Sequence, residues 1–165
     1  MRSEVGRDLL EHARKLAKVD PNRPRQVHLR RALSAAYYAV FHFLIEEATG
    51  LVSGRGYRRR QLRYQLARSF EHRRMRIAAQ EVGRFTVPPG GAGPVPATLV
   101  ECSLSFVRLQ LDRHLADYDQ SRTFGREEVL TKLEAAEQIL ERWPSIRRHP
   151  ATEAFLLALL VKPRA

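Results

Sequence analysis

The chain is poor in cysteine, lysine and long apolar runs, and each shortage closes a class of function. A single cysteine, Cys102, allows no internal disulfide and no zinc site of paired thiolates. Its neighbours Leu99, Val100, Leu104 and Phe106 are apolar, so a core position in a protein of the reducing cytoplasm is expected for it. Lysine occurs four times against 25 arginines; a GC-rich coding bias supplies arginine in place of lysine but does not create the formal net charge of +11. The longest wholly apolar run, AFLLALLV at residues 154–161, is far shorter than the roughly 20 residues a membrane-spanning helix needs. The start, MRSEVGRDLLEHARKLAKVD, mixes charge with apolar residues at helical spacing, where a secretory signal requires about 7 to 15 uninterrupted apolar residues. A soluble, cytoplasmic protein without membrane contact is therefore expected. The sequence also lacks a Walker-type phosphate loop, a serine nucleophile elbow, alternating β-branched runs and internal repeats, so no cofactor and no metal is expected.

What is present is helical. At 165 residues with 44% hydrophobic content, one domain spanning residues 1–165 is expected, with roughly 70% of its unfolded surface buried. Over residues 3–19, Val5, Leu9, Leu10, Ala13, Leu16 and Ala17 fall on one helical face, and DPNRP ends the helix. Residues 27–48 are apolar almost all round from Ala35 to Ile45, the pattern of a helix at the centre of a bundle. A third amphipathic helix is predicted over residues 58–82, with Leu62, Leu66, Phe70 and Ile77 inward. The stretch FTVPPGGAGPVPA, residues 85–97, holds four prolines and three glycines and reads as a long mobile loop. Thr98 opens a fourth helix with Leu99, Cys102, Phe106, Leu109 and Ala116 inward. A fifth, starting near REE, carries Leu133, Ala136 and Leu140 and stops at Pro144; a short sixth covers residues 151–161. The expected fold is an all-α bundle of five to six helices.

Charge is not spread evenly. Residues 55–76, RGYRRRQLRYQLARSFEHRRMR, hold nine arginines against one acid, Glu71, and so contribute +8 of the +11. Arg58, Arg59, Arg60 and Arg63 are placed to track a phosphate backbone, Tyr57 and Tyr64 to stack on bases, and His72 to touch a phosphate. The alternatives are a solvated face, an acidic partner, or acids of this chain such as those in REE or IEEA.

Of six histidines, His12, His28 and His149 sit among charged or turn residues and read as surface groups. His42 follows Tyr38 by four residues on the same helical face; with Tyr37 it either lines a pocket or packs in the core. His114, in RLQLDRHLADYD, has Asp117 at i+3 and Tyr118 at i+4. A carboxylate there would orient the imidazole and raise its pKa, with Arg108 and Arg113 countering a phosphate. The competing pattern is an Arg113–Asp117 surface ion pair at i,i+4 with His114 a bystander.

The segments SAAYYAVFHFLIEEA and DRHLADYD, followed by the helix beginning near REEVLTKLEAAEQIL, resemble the prokaryotic branch of the HEPN superfamily with a Tyr-Tyr-Ala motif on one helix and an Ala-Asp-Tyr motif on another. The resemblance runs from about Leu9 to Leu140. It implies a helical homodimer of toxin–antitoxin, phage-defence or RNA-processing systems. Many such proteins are metal-independent ribonucleases with an arginine, four to six residues and a histidine, the site being composite between two protomers. Arg108 and His114 fit with five intervening residues; Arg7 with His12, Arg23 with His28 and Arg142 with His149 also fit, and position on the fourth helix selects the first pair. Other members bind nucleotide, RNA or a partner such as a nucleotidyltransferase or antitoxin without cutting.

Overall fold

The computed structural model describes residues 4–82 and 94–161, and among them every regular element is helical. The elements are α1 (Glu4–Lys18), α2 (Gln26–Ser53), a 3₁₀ turn (Tyr57–Arg59), α3 (Arg60–Ala67), α4 (His72–Val82), α5 (Ala97–Tyr118), α6 (Arg126–Arg142), a second 3₁₀ turn (Trp143–Ser145) and α7 (Pro150–Leu160). The all-α expectation holds. Most of the 85–97 loop lies outside the described residues. No described helix is long and apolar enough to cross a membrane.

The chain divides into two units. The first comprises residues up to Phe43 with Ser105–Glu141, the second Leu44–Leu104 with the residues from Arg142 onward. In the first, α1 buries Leu10, Ala13 and Ala17 at three-and-four spacing. An Arg14–Glu137 ion pair fastens α1 to α6, and Lys132 Nζ, 2.6 Å from Asp112, fastens α6 to α5. Two arginines close helix ends that would otherwise leave carbonyls unpaired. Arg126 donates to the Ala17 carbonyl in the last turn of α1 and to those of Asp20 and Pro21 beyond it, where Asp20 takes the left-handed φ of 55°. Arg30 donates to the carbonyls of Ala116 (2.8 Å) and Asp119 (2.9 Å) and to that of Arg122, holding the C-terminus of α5. Arg30→Met is expected to lower stability by about 2 kcal/mol, since hydrogen bonds from a charged donor are each worth roughly 1.5–3 kcal/mol and water replaces part of the loss; urea unfolding reads it.

The second unit is built around one carboxylate. Glu47 is 3% exposed, yet Arg147 donates to both its oxygens (2.8 and 3.0 Å), Trp143 Nε1 donates at 3.0 Å, and Arg55 Nη2 stands 2.9 Å away. Arg55 reaches Glu47 by folding across Gly50, where an added Cβ would meet its side chain at 3.2 Å. Gly54 ends α2 with a φ of +73°. α4 packs on α7, and Arg74 Nη1 caps the Leu160 carbonyl at 2.8 Å. Cys102 is buried, as expected, and burial pushes its thiol up to about 11.

One predicted helix is three elements. Residues 58–82 break after Ala67, because the faces do not match: α3 buries none of its side chains, while α4 buries Met75, Ala78, Ala79 and Val82. Leu62 and Ile77, expected inside, are 44% and 43% exposed.

Candidate functional site

α2 and α5 bring the two tyrosine motifs together within the first unit. Tyr37 is fully buried, its ring stacked on Phe106 at 5.6 Å and edge-on to Tyr38 at 5.4 Å; burial raises its phenol's pKa. It therefore offers no surface to a small ligand, and of the three residues expected to line a pocket only Tyr38 and His42 reach solvent. His42 itself turns outward, stacked at 6.2 Å on Tyr38, and partial loss of water lowers its imidazole's pKa.

Arg113 sits where these rings meet. Its guanidinium carbon is 5.5 Å from the Tyr38 ring centre and 6.0 Å from those of Tyr37 and Tyr118, and its side chain is 20% exposed. Cation–π attraction holds a planar guanidinium well in such a cleft of rings. Arg113 Nε also lies 2.7 Å from Asp117 Oδ2, an ion pair by distance although the N–H points off the line of a hydrogen bond. Asp117 accepts a hydrogen bond from Ser34 Oγ of α2 at 2.5 Å. The expectation that Asp117 orients His114 is corrected: Asp117 is engaged by Arg113 and Ser34. Arg113 is likewise a clasp between motifs rather than a free counter-charge.

His114 and Arg108 differ from that clasp in being exposed. The His114 ring is tilted against Tyr118 at 4.9 Å, and among the described residues it makes no hydrogen bond or ion pair. Tyr118 is 66% exposed. Being six residues apart on a straight helix, Arg108 and His114 point about 120° apart and do not converge within one chain. Leu111 and Leu115 are exposed on the same helix. Arg30, which sequence reasoning missed, anchors the turn that follows Tyr118; an arginine on one helix, here beside Arg31, gives no local sign that it will cap a distant helix.

In the second unit the arginines of the basic segment differ in what they contact. Arg55 is held by Glu47, Arg63 donates to the Gly54 and Gly56 carbonyls at 2.8 and 2.9 Å, and Arg74 caps Leu160, so these three are internal fasteners. The role expected of Arg63 in tracking phosphate is thereby corrected. Arg58, Arg59, Arg68 and Arg73 are exposed, with no ion pair among the described residues. Arg60 Nε bonds Tyr64 Oη at 2.8 Å and lies 5.3 Å from its ring centre. Tyr57 and Tyr64 are 83% and 53% exposed. His72 starts α4, half-buried. Of the four acids weighed as partners, two are in use: Glu47 of IEEA takes Arg55 and Arg147, and Glu128 of REE takes Arg122 at 2.6 Å.

Among the described residues no group of three or more His, Cys, Asp or Glu side chains is gathered that could hold a metal ion. Comparison with known proteins finds no family model that matches the chain, and no curated protein or solved structure that matches it significantly.

Proposed function

We propose that this chain is an RNA-directed protein of the HEPN type, a metal-independent endoribonuclease of toxin or phage-defence kind that works as a homodimer. The observation that carries this reading is the meeting of Tyr37 and Tyr38 with Arg113, Asp117 and Tyr118, which leaves His114 and Arg108 open on one helix. In the reaction His114 takes the proton of a ribose 2′-hydroxyl, or gives one to the leaving 5′-oxygen, and the 2′-oxygen attacks the adjacent phosphorus. The products are a 2′,3′-cyclic phosphate and a 5′-hydroxyl. Arg108 stabilises the charge that grows on phosphorus. Since Arg108 and His114 diverge on one helix, the pair is assembled from two protomers about a twofold axis. Arg113 acts through position, holding Asp117 and Tyr118. The exposed arginines of residues 55–76 draw the polyanion in.

A second reading is favoured by the engagement of Asp117 with Arg113 and Ser34, which leaves His114 without an orienting carboxylate. Under it the chain is a non-catalytic module that binds nucleotide, RNA or a partner such as a nucleotidyltransferase or antitoxin. Incubation of pure protein in EDTA with a mixed-sequence RNA and its all-deoxy equivalent separates the two. Cutting of RNA alone supports scission; retained binding without cutting establishes the non-catalytic module.

A further inference from the structure

Two of the three exposed tyrosines among the described residues belong to the basic segment; the backbone before Tyr57 and the side chain of Tyr64 are each held by an arginine. Tyr57 follows a turn whose Gly54 and Gly56 carbonyls are tied down by Arg63, and whose Arg55 is tied to the buried Glu47. Tyr64 is fixed by the Arg60 bond to its hydroxyl. The rings stand seven residues apart, about 10–12 Å along a path of one 3₁₀ turn and α3. Side chains fixed before binding lose less entropy on contact. Arg60 lies over one face of the Tyr64 ring, and exposed aromatic rings beside the carboxylate-free guanidinium groups of Arg58 and Arg59 suit a ligand that is both flat-faced and anionic.

We infer that Tyr57 and Tyr64 form a stacking platform for unpaired bases, flanked by Arg58 and Arg59 as phosphate contacts, so that the segment selects single-stranded over duplex nucleic acid. In a duplex both faces of each base are covered by neighbours, which leaves the rings nothing to stack on; in a single strand every base offers a face. This rests on the nucleic-acid part of the proposed function and not on strand scission. It also divides the arginines: Arg55 and Arg63 build the platform, Arg58 and Arg59 serve it.

The test uses the full chain and a labelled mixed-sequence 12-nucleotide deoxy strand, alone and annealed to its complement, since a strand without 2′-hydroxyls is not cut by the proposed chemistry. The single strand is expected to bind more tightly than the duplex. Tyr57→Ala and Tyr64→Ala should each weaken single-strand binding about tenfold with no change in its salt dependence, because stacking is worth roughly 1–3 kcal/mol per base. Tyr57→Trp should restore it. Arg58→Gln and Arg59→Gln should each reduce the slope of log affinity on log salt by about 0.7. Equal binding of both probes, with the tyrosine variants unchanged, overturns the platform and leaves a phosphate-only RNA protein standing. Binding of neither probe overturns the platform and the nucleic-acid reading together. Single-strand selectivity without RNA cutting keeps the platform and removes the nuclease.

Discussion

Glu47→Ala is expected to lower the stability of the protein by about 3–4 kcal/mol, more than any other single carboxylate described here. Removing one member of a buried ion pair strands its partners and costs roughly 3–5 kcal/mol. Glu47 has three such partners: Arg147 on both oxygens, Arg55, and the indole of Trp143, which is fully buried. The two guanidinium side chains are 38% and 33% exposed, so water recovers part of the loss and the lower half of the range applies. For a chain of this size a change of that order moves Tm by about 10 °C, readable by circular dichroism. The triple replacement E47L/R55M/R147M should recover most of it, since no charge is left unpaired. A loss below about 1 kcal/mol for Glu47→Ala would mean that the carboxylate is hydrated in solution. Because Arg55 leads directly into the basic segment, the same variant should also weaken the nucleic-acid binding proposed for that segment.

His114→Ala is the opposite case, a large effect on chemistry with little on folding. The ring is exposed and touches Tyr118 alone of the described aromatic rings, so stability should change by no more than about 0.5 kcal/mol. Positioned acid–base groups contribute about 10²–10⁴-fold to rate, and RNA cutting should fall by that factor at unchanged Tm. Mixing His114→Ala with Arg108→Ala protein provides an internal control. In a composite site one of the two heterodimer sites keeps both groups intact, so activity returns on mixing; with both groups needed from one chain, it does not.

The sequence exposed what repeats locally. The inward face Leu99, Cys102, Phe106, Leu109 and Ala116 follows from three-and-four spacing, and all five are buried on α5. The Arg113–Asp117 pair follows from i,i+4 spacing and is present. The two tyrosine-bearing segments lie on α2 and α5, and their side chains are in contact. What escaped depends on contacts between distant residues. Glu46 and Glu47 are chemically identical neighbours, and only the approach of Arg147, 100 residues on, marks Glu47 as the buried one. Ser34 carries no sign that it will bond Asp117. The excess of arginine in residues 55–76 was plain, but its division into fasteners and free guanidinium groups depends on where the Gly54, Gly56 and Leu160 carbonyls lie. The break after Ala67 escaped for a related reason: charge on both halves hid the change of buried face from the period count.

The most direct measurement is end-group analysis of RNA incubated with pure wild-type protein in EDTA, beside the His114→Ala variant. A 2′,3′-cyclic phosphate and a 5′-hydroxyl at each cut, absent with the deoxy strand and lost in the variant, is the expected result. Intact RNA, or cuts that persist in His114→Ala, would contradict a scission chemistry built on this imidazole.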